Sequence, residues 1–289
     1  MLRVDHISKK FAEKAVLDDV SFSVAEASVV GVVGGNGQGK TTLFRLISGI
    51  YDRDSGYVTC PSKVVYLPEE RGLDMEETPC FFLTYIGRLH GMTKNSAQKR
   101  ALALLDDFGL SDYADYRIGN LSKGMQQKVQ FLSVLVSDAS LFLLDEPFSG
   151  IDETNKELLK SEITKIREKG ASVMVSSHDM DALEDICDDF LFLENGKIVS
   201  DGELHGLMQR YLHQNVLVLE TAKDLRPSAQ TEVVMTCRYP DKVETWLKAS
   251  DDASETNKLL SDILSENDLM SFSVRRISLG DCVKISKNR

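Results

Sequence analysis

Apolar and polar residues alternate in Leu2-Arg3-Val4-Asp5-His6-Ile7 and again from Val16 to Val24. A period of two marks a strand with one buried face, so antiparallel strands are expected at the amino terminus. The pattern then changes. Val29-Val30-Gly31-Val32-Val33, Leu141-Phe142-Leu143-Leu144 and Ala171-Ser172-Val173-Met174-Val175 are short, nearly continuous apolar runs. Runs of this kind fit strands buried on both faces of a parallel sheet. Between them lie segments of helical pattern: residues 41–47 ending at Gly49, the stretch from Thr78 to Arg117 with Leu102, Leu104, Leu105 and Phe108 on one face, about Ser122 to Val136, and a charge-rich helix from Thr154 to Lys169. Phe190 to Leu193, the turn Glu194-Asn195-Gly196-Lys197, and Ile198-Val199 read as a hairpin. Buried strands alternating with helices predict a mostly parallel sheet.

After about Leu212 the rhythm shifts. Short strands are expected at Val216 to Glu220 and Glu232 to Cys237, and a helix at Thr256 to Leu264, with Trp246, Leu259, Leu260 and Ile263 as a small core. This divides the chain into a main domain, 1–212, and a small accessory α+β domain, 213–289.

Composition narrows the class. Of 289 residues, 42% are hydrophobic and 27% charged, which excludes disordered and low-complexity chains. The net charge of −11 makes a general nucleic-acid or anionic-lipid binder a poor fit, so no nucleic-acid partner is expected. The five cysteines contain no Cys-x-x-Cys and suggest neither a disulfide framework nor a zinc site. No signal peptide or membrane-spanning run is visible, which predicts a soluble, cytosolic protein.

The candidate chemistry sits just past the buried strands. Gly34-Gly35-Asn36-Gly37-Gln38-Gly39-Lys40-Thr41 fits the phosphate-loop pattern G-x-x-x-x-G-K-[ST], and Thr42 continues it. Glycines let the backbone wind so that successive N–H groups face phosphate oxygens, Lys40 supplies a mobile cation, and the Thr41 hydroxyl suits Mg²⁺. The glycine spacing departs from the dinucleotide fingerprint, and a nucleoside triphosphate is the expected ligand. The second buried strand ends in Asp145-Glu146-Pro147. Asp145 is placed beside the loop, where it holds Mg²⁺ through water. Pro147 is expected to keep Glu146 extended, reaching an attacking water as general base. The third strand leads into Ser176-Ser177-His178-Asp179, with His178 placed to bond a terminal phosphate. Three strand ends deliver polar groups to one edge, as phosphoryl transfer requires.

Leu121-Ser122-Lys123-Gly124-Met125 lies between the loop and the carboxylates. Together with GGNGQGKTT, FLLDEP, Ser149 to Asp152 and His178, its order and spacing resemble the ATP-binding cassette (ABC) ATPases over roughly residues 1 to 210. The resemblance implies an α/β fold of the P-loop NTPase, ABC ATPase type: a mostly parallel core sheet, an amino-terminal antiparallel β subdomain, a helical signature subdomain, and here a small α+β extension. It implies ATP and Mg²⁺ as ligands, Asp145 as magnesium aspartate, Glu146 as catalytic glutamate, and His178 as switch histidine. The residues at 149–152 resemble the loop crossing a dimer interface, and Leu121 to Met125 the signature that acts on ATP bound by the opposite subunit. Phe11 occupies the place of the aromatic that stacks on adenine; a core or hairpin aromatic is the equal alternative.

The signature departs from the usual LSGGQ at Lys123 and Met125, Gly35 stands where proline is frequent, and Glu69 replaces a metal-contacting glutamine. These departures, YLPEERGL (66–73) and LSKGM, resemble the subgroup serving ABC-2-type exporters. The resemblance therefore implies an ATPase subunit that works as a homodimer, or as a heterodimer with a second ATPase subunit. It would bind a separate integral-membrane permease at the inner face of the cell membrane. The apolar stretch Cys80 to Ile86 is a candidate docking surface or helical core. The alternative is a soluble ABC ATPase of translation or DNA repair. The interval of about 80 residues between loop and signature lacks a coiled-coil heptad run, and the chain holds a single cassette, so both are disfavoured. A P-loop kinase or GTPase is argued against by the signature.

Overall fold

A computed structural model describes residues 1–70, 72–199, 208, 210–225 and 231–287. Arg71, within the YLPEERGL segment, lies outside the described residues. The chain divides into two compact units, 1–199 and 200–289.

In the first unit, β1 (Leu2–Phe11), β2 (Lys14–Val24) and β4 (Ser55–Thr59) form an antiparallel sheet of order β2-β1-β4. A second sheet holds β3 (Val29–Val33), β5 (Val64–Leu67), β6 (Leu141–Asp145), β7 (Ser172–Ser176), β8 (Asp189–Glu194) and β9 (Lys197–Ile198), in the order β5-β6-β7-β3-β8-β9. Its pairings are parallel except β8 with β9. All residues of β3, β6 and β7 are buried, as their nearly continuous apolar runs predict. The β8–β9 turn places Asn195 and Gly196 at φ 49° and 75°, the left-handed pair that an Asn-Gly hairpin turn requires. Helix α1 (Lys40–Ile47) buries Leu43, Phe44, Leu46 and Ile47 in a core shared with Leu2, Val4, Leu17, Val32, Leu143 and Met174, which joins the two sheets.

The predicted helical stretch from Thr78 resolves into α2 (Pro79–Leu89) and α3 (Lys94–Asp107). Thr78 and Thr93 cap them through hydroxyls that accept from Phe81 N–H and Ser96 N–H. Gly91, at φ 90°, makes the break between them. Leu104, Leu105 and Phe108 are buried as expected, but Leu102 is 45% exposed. Its spacing from Leu105 fits a shared stripe, yet the buried stripe of α3 is Ala97, Ala101, Leu104 and Leu105, and Leu102 falls off it. The apolar stretch 80–86 is divided: Leu83 is packed, while Phe81 and Tyr85 are exposed. Helix α4 (Lys123–Leu135) begins within the signature. Beyond β6, α5 (Glu153–Glu168) buries Leu159, Ile163 and Ile166, and α6 (Met180–Ile186) follows β7.

In the second unit, β10 (Asn215–Thr221), β11 (Val233–Arg238), β12 (Val243–Lys248) and β13 (Leu269–Arg276) form an antiparallel sheet of order β11-β12-β10-β13. It is joined by α7 (Ala253–Glu266) and α8 (Leu279–Lys287). Strands β12 and β13 and helix α8 were not anticipated. Leu259, Leu260 and Ile263 pack with Leu217, Leu219 and Leu247, as expected. Trp246 is buried, at 1% exposed, as expected of a core residue, but it does not join that cluster. Its cross-strand partner is Val218, one residue out of phase with Leu217 and Leu219, so the indole faces the other side of the sheet. There Arg275 and Lys284 lie over its ring at 4.5 and 4.9 Å.

Candidate active site

The loop between β3 and α1 is shaped by what its glycines exclude. A Cβ on Gly34 would sit 2.5 Å from the Leu193 carbonyl oxygen, and one on Gly39, at φ 110°, would sit 2.9 Å from the Val16 carbonyl oxygen and from the Leu17 side chain. Only glycine lets the loop press this closely on β2 and β8. The loop wraps the ammonium of Lys40, which donates to the carbonyl oxygens of Gly34 at 2.7 Å and Gly35 at 3.3 Å and is 7% exposed.

Asp145 ends β6 and is 1% exposed. Its register partner on β7 is Ser176, whose hydroxyl donates to one carboxylate oxygen at 2.6 Å. The Tyr66 hydroxyl, at the end of β5, donates to the other at 3.2 Å. Burial pushes the Tyr66 phenol up, with the Asp145 charge adding to it, so this donor keeps its proton.

Glu146 is not extended. Its φ is 51°, in the left-handed region. Pro147 does disfavour the right-handed helical region for the preceding residue, as expected, but the chain escapes into a turn rather than onward as a strand. The Glu146 carbonyl accepts from Ser149 N–H at 3.1 Å, with Pro147 at the second position of that turn. Its own N–H is held by the carbonyl and the hydroxyl of Ser176, each at 3.1 Å. Backbone strain of this sort costs about 1–3 kcal/mol and gathers at functional sites.

Glu146 is 7% exposed, and one of its carboxylate oxygens accepts from His178 N–H at 3.2 Å. The other lies 3.4 Å from the His178 imidazole Nε2 and receives no hydrogen bond among the described residues. Burial raises the Glu146 carboxyl above the ordinary range; His178 and Lys40 oppose that shift and Asp145 reinforces it.

These groups share one cleft of about 320 Å³, lined by Gly35, Asn36, Gly37, Gly39, Lys40, Thr41, Thr42, Glu69, Asp145, Glu146 and His178, with Val16 at its wall. Loop, carboxylates, histidine and Glu69 are thus brought together. Gly34 and Gln38 lie behind the lining. Gly34 is under the Leu193 carbonyl, and the Gln38 amide oxygen accepts from Asn195 N–H. Phe11 is also outside the lining. Its exposed ring meets Tyr51 edge-on at 5.5 Å at the end of the β1–β2 hairpin.

Leu121 to Met125 do not reach this cleft. Leu121 is buried, and Ser122 caps α4 through a hydroxyl that accepts from Met125 N–H at 3.3 Å. Lys123 is exposed, and around Gly124 a Cβ would meet nothing within 4 Å. The amino end of α4 is open, with the helix dipole behind it, and the Lys123 and Gly124 N–H groups have no hydrogen-bond partner among the described residues.

Residues that the sequence did not single out tie these parts together. Gln130, on α4 and 3% exposed, donates from its amide nitrogen to the carbonyls of Pro68 at 2.9 Å and Glu70 at 3.2 Å, the two neighbours of Glu69. Arg45 donates to Glu70 at 2.7 Å and to the Tyr51 hydroxyl at 3.0 Å. No motif announces Gln130; the one available signal was a glutamine amid apolar residues on a helix.

The donor set fits a small hard cation. A hydroxyl (Thr41) and carboxylates (Asp145, Glu69) line the cleft, and a buried oxygen of Glu146 lacks a hydrogen-bond donor. Among the described residues no cluster of three ligands stands ready. That also suits magnesium, which is usually held by one or two carboxylates together with substrate phosphates.

Phosphate loop, strand-end carboxylates and an open signature together define a P-loop ATPase of the cassette type. Residues 17–149 match the family described as ABC transporter. An uncharacterized ABC transporter ATP-binding protein of Methanocaldococcus jannaschii is 39% identical over 209 residues, covering 72% of this chain and 80% of the relative. A Nod factor export ATP-binding protein I of Bradyrhizobium diazoefficiens is 27% identical over 271 residues, covering 85% of this chain and 88% of the relative. Among solved structures, one described as the ATP-binding subunit of an ABC transporter superposes with a TM-score of 0.67 at 27% identity, covering 73% of this chain and 92% of the other. The chain belongs to the ABC transporter ATP-binding proteins, and it is an ABC ATPase. No described helix is long and apolar enough to cross a membrane.

Proposed function

We propose that this chain is the ATP-hydrolysing subunit of an ABC-2-type exporter, energising a separate membrane permease at the inner membrane face through ATP-driven closure of a dimer. One observation carries the reading. The phosphate loop, Asp145, Glu146 and His178 line one cleft, while Ser122 and Gly124 stand open outside it. A site for the phosphates is built in one chain, and a second phosphate-binding helix end is presented elsewhere, as a head-to-tail pair of subunits needs.

In this reading Lys40 exchanges its loop carbonyls for the outer phosphates of ATP, and the N–H groups from Gly35 to Thr42 cradle them. Magnesium, held by the Thr41 hydroxyl with Asp145 and Glu69, would neutralise charge on the β- and γ-phosphates. Ser176 and Tyr66 fix the Asp145 carboxylate by occupying one lone pair on each oxygen. The unbonded oxygen of Glu146 takes a proton from the attacking water, or orients it. His178 stands 3.4 Å from that oxygen and contacts the terminal phosphate. Ser122 and the N–H groups after it bind the γ-phosphate of the opposite subunit's ATP.

The exporter reading is supported by YLPEERGL, by LSKGM, and by the relative whose name includes Nod factor export. That match spans more of the chain than residues 1–199 alone supply. The test is purification of the tagged protein from detergent-solubilised membranes of its host. A polytopic membrane protein at near-equal stoichiometry is expected. Recovery only from the soluble fraction, with ribosomes or nucleic acid, contradicts the exporter reading.

A further inference from the structure

Arg45 lies in the last turn of α1, the helix that starts at Lys40 of the phosphate loop. Its guanidinium is a planar fork of donors with no acceptor. One nitrogen, Nη1, donates to the Tyr51 hydroxyl at 3.0 Å, and the other, Nη2, to the Glu70 carboxylate at 2.7 Å. The Tyr66 hydroxyl is a third neighbour within hydrogen-bonding reach. The helix end does not need this side chain. It is closed by backbone, with the Arg45 carbonyl accepting from Ile50 N–H at 2.9 Å and Tyr51 N–H at 3.0 Å. Nor does the ion pair account for the arrangement. The Glu70 side chain is 75% exposed, and pairs in such a setting contribute little to stability.

What the fork touches is the support of two carboxylates in the cleft. Tyr66 donates to Asp145 at 3.2 Å. A hydroxyl has one proton, and a guanidinium can only donate to it. Arg45 therefore gives the Tyr66 proton no acceptor on its own side, and the proton is directed at Asp145. The ring is held as well: Phe44, the residue before Arg45, meets it edge-on at 6.5 Å. On the other branch, Glu70 follows Glu69. Its carbonyl is held by Gln130 of α4 and its carboxylate by Arg45 of α1, so the chain just past Glu69 is gripped from two helices.

We propose that Arg45 is a positioning residue for the metal site, fixing Asp145 through the Tyr66 hydroxyl and Glu69 through Glu70. This rests on the roles proposed above for Asp145 and Glu69. It adds a division of labour along one helix. The first turn of α1 presents Lys40 and Thr41 to the phosphates, and its last turn sets the carboxylates that share the cleft. One rigid element thus keeps the loop and the carboxylates at a fixed separation. Charge alone does not do this: a lysine has no planar fork with which to reach Tyr51, Glu70 and Tyr66 together.

The probe is Mn²⁺, whose free-ion EPR signal reports its binding to the full chain loaded with ADP. Asp145→Asn sets the scale. Removing groups that orient a metal ligand weakens metal binding about 10–100-fold, so Tyr66→Phe is expected to cost about tenfold and Arg45→Met, one step further out, roughly fivefold. Because Arg45 acts partly through Tyr66, the double variant should fall well short of the roughly fiftyfold that independent effects would give. Tyr51→Phe removes an Arg45 hydrogen bond without touching Tyr66 or Glu70, and should leave Mn²⁺ affinity unchanged. ADP affinity in EDTA should be the same in Arg45→Met as in the wild type. Arg45→Lys keeps the charge without the fork and should bind Mn²⁺ no better than Arg45→Met; it carries the comparison if the methionine variant does not fold. If Asp145→Asn leaves Mn²⁺ affinity unchanged, the metal role of Asp145 fails and the proposal with it. If Asp145→Asn weakens binding while the Arg45 variants match the wild type, the proposal alone is overturned. It is equally overturned if the Arg45 and Tyr66 effects multiply in full, if Tyr51→Phe weakens Mn²⁺ binding as much as Arg45→Met, or if Arg45→Lys restores wild-type affinity.

Discussion

The phosphate loop and the signature both offer helix amino ends to phosphate, and the structure treats them in opposite ways. The loop is crowded: Gly34 and Gly39 have no room for a Cβ, and Lys40 is nearly enclosed. The signature is open: Gly124 has no neighbour within 4 Å, and Ser122 is exposed. Crowding on the loop is imposed by β2 and β8 of the same chain, so the loop is shaped without any partner. Among the described residues nothing crowds Gly124 in the same way. In the proposed dimer, any requirement for a small residue at Gly124 would come from the opposite subunit.

Substitutions can separate the two kinds of requirement. The largest effect is expected at the chemistry itself: Glu146→Gln should retain ATP binding and lower steady-state hydrolysis by about 10²–10⁴-fold, the usual contribution of a general base. Turnover undiminished in that variant removes the role given to Glu146. The glycines come next. Gly39→Ala should both unfold the protein at lower temperature and abolish nucleotide binding, because the added carbon meets backbone and the φ of 110° is unfavourable to alanine. Gly124→Ala should leave the melting temperature within about 1 °C, consistent with a surface change of under ~0.5 kcal/mol, yet reduce hydrolysis. Thermal melts and ATPase assays on the pair decide this, and equal destabilisation by both would erase the contrast.

A smaller effect is expected at the join between the regions. Gln130→Ala removes two hydrogen bonds to the carbonyls flanking Glu69 and should cost about 1–2 kcal/mol, measured by denaturant unfolding. It should also weaken the dependence of hydrolysis on Mg²⁺ concentration, since Glu69 is no longer fixed.

The smallest is a pH effect on the protein free of nucleotide and metal. The Glu146 carboxyl is raised in the folded state by burial, against the opposing influence of His178 and Lys40. The folded chain therefore holds this proton to higher pH than the unfolded chain does, and stability falls as pH rises from the ordinary glutamate value through the raised one. Glu146→Gln should melt above the wild type at neutral pH, and the gap should close toward acid. A gap of constant size across that range contradicts the assigned direction.

Much of this was legible in the residues. The nearly continuous apolar runs of β3, β6 and β7 placed three strand ends on one edge, and the motifs on them converge on the cleft. Periodicity failed where two demands overlapped. Leu102 fits a helical stripe by spacing, but α3 buries a neighbouring one. Pro147 correctly excluded a right-handed helical Glu146, yet the remaining choice between extended and left-handed was made by Ser176 and the turn closed by Ser149. Trp246 is buried as expected, but on the sheet face away from Leu259, Leu260 and Ile263; β12 was not anticipated, and in a strand a one-residue phase shift exchanges faces. Gln130 was invisible because its partners are backbone carbonyls about 60 residues away, and carbonyls carry no sequence signature.

The central claim is that each ATP is served by two chains, and complementation tests it most directly. Lys40→Ala disables the loop. Ser122→Asp keeps the α4 cap while setting a negative charge against phosphate. Each purified variant should be inactive alone. Mixed, they form some dimers in which an intact loop of one chain faces an intact signature of the other, so hydrolysis should return in proportion to the share of mixed dimers. A mixture as silent as its components would contradict the account, because it would mean that loop and signature must be intact in the same chain.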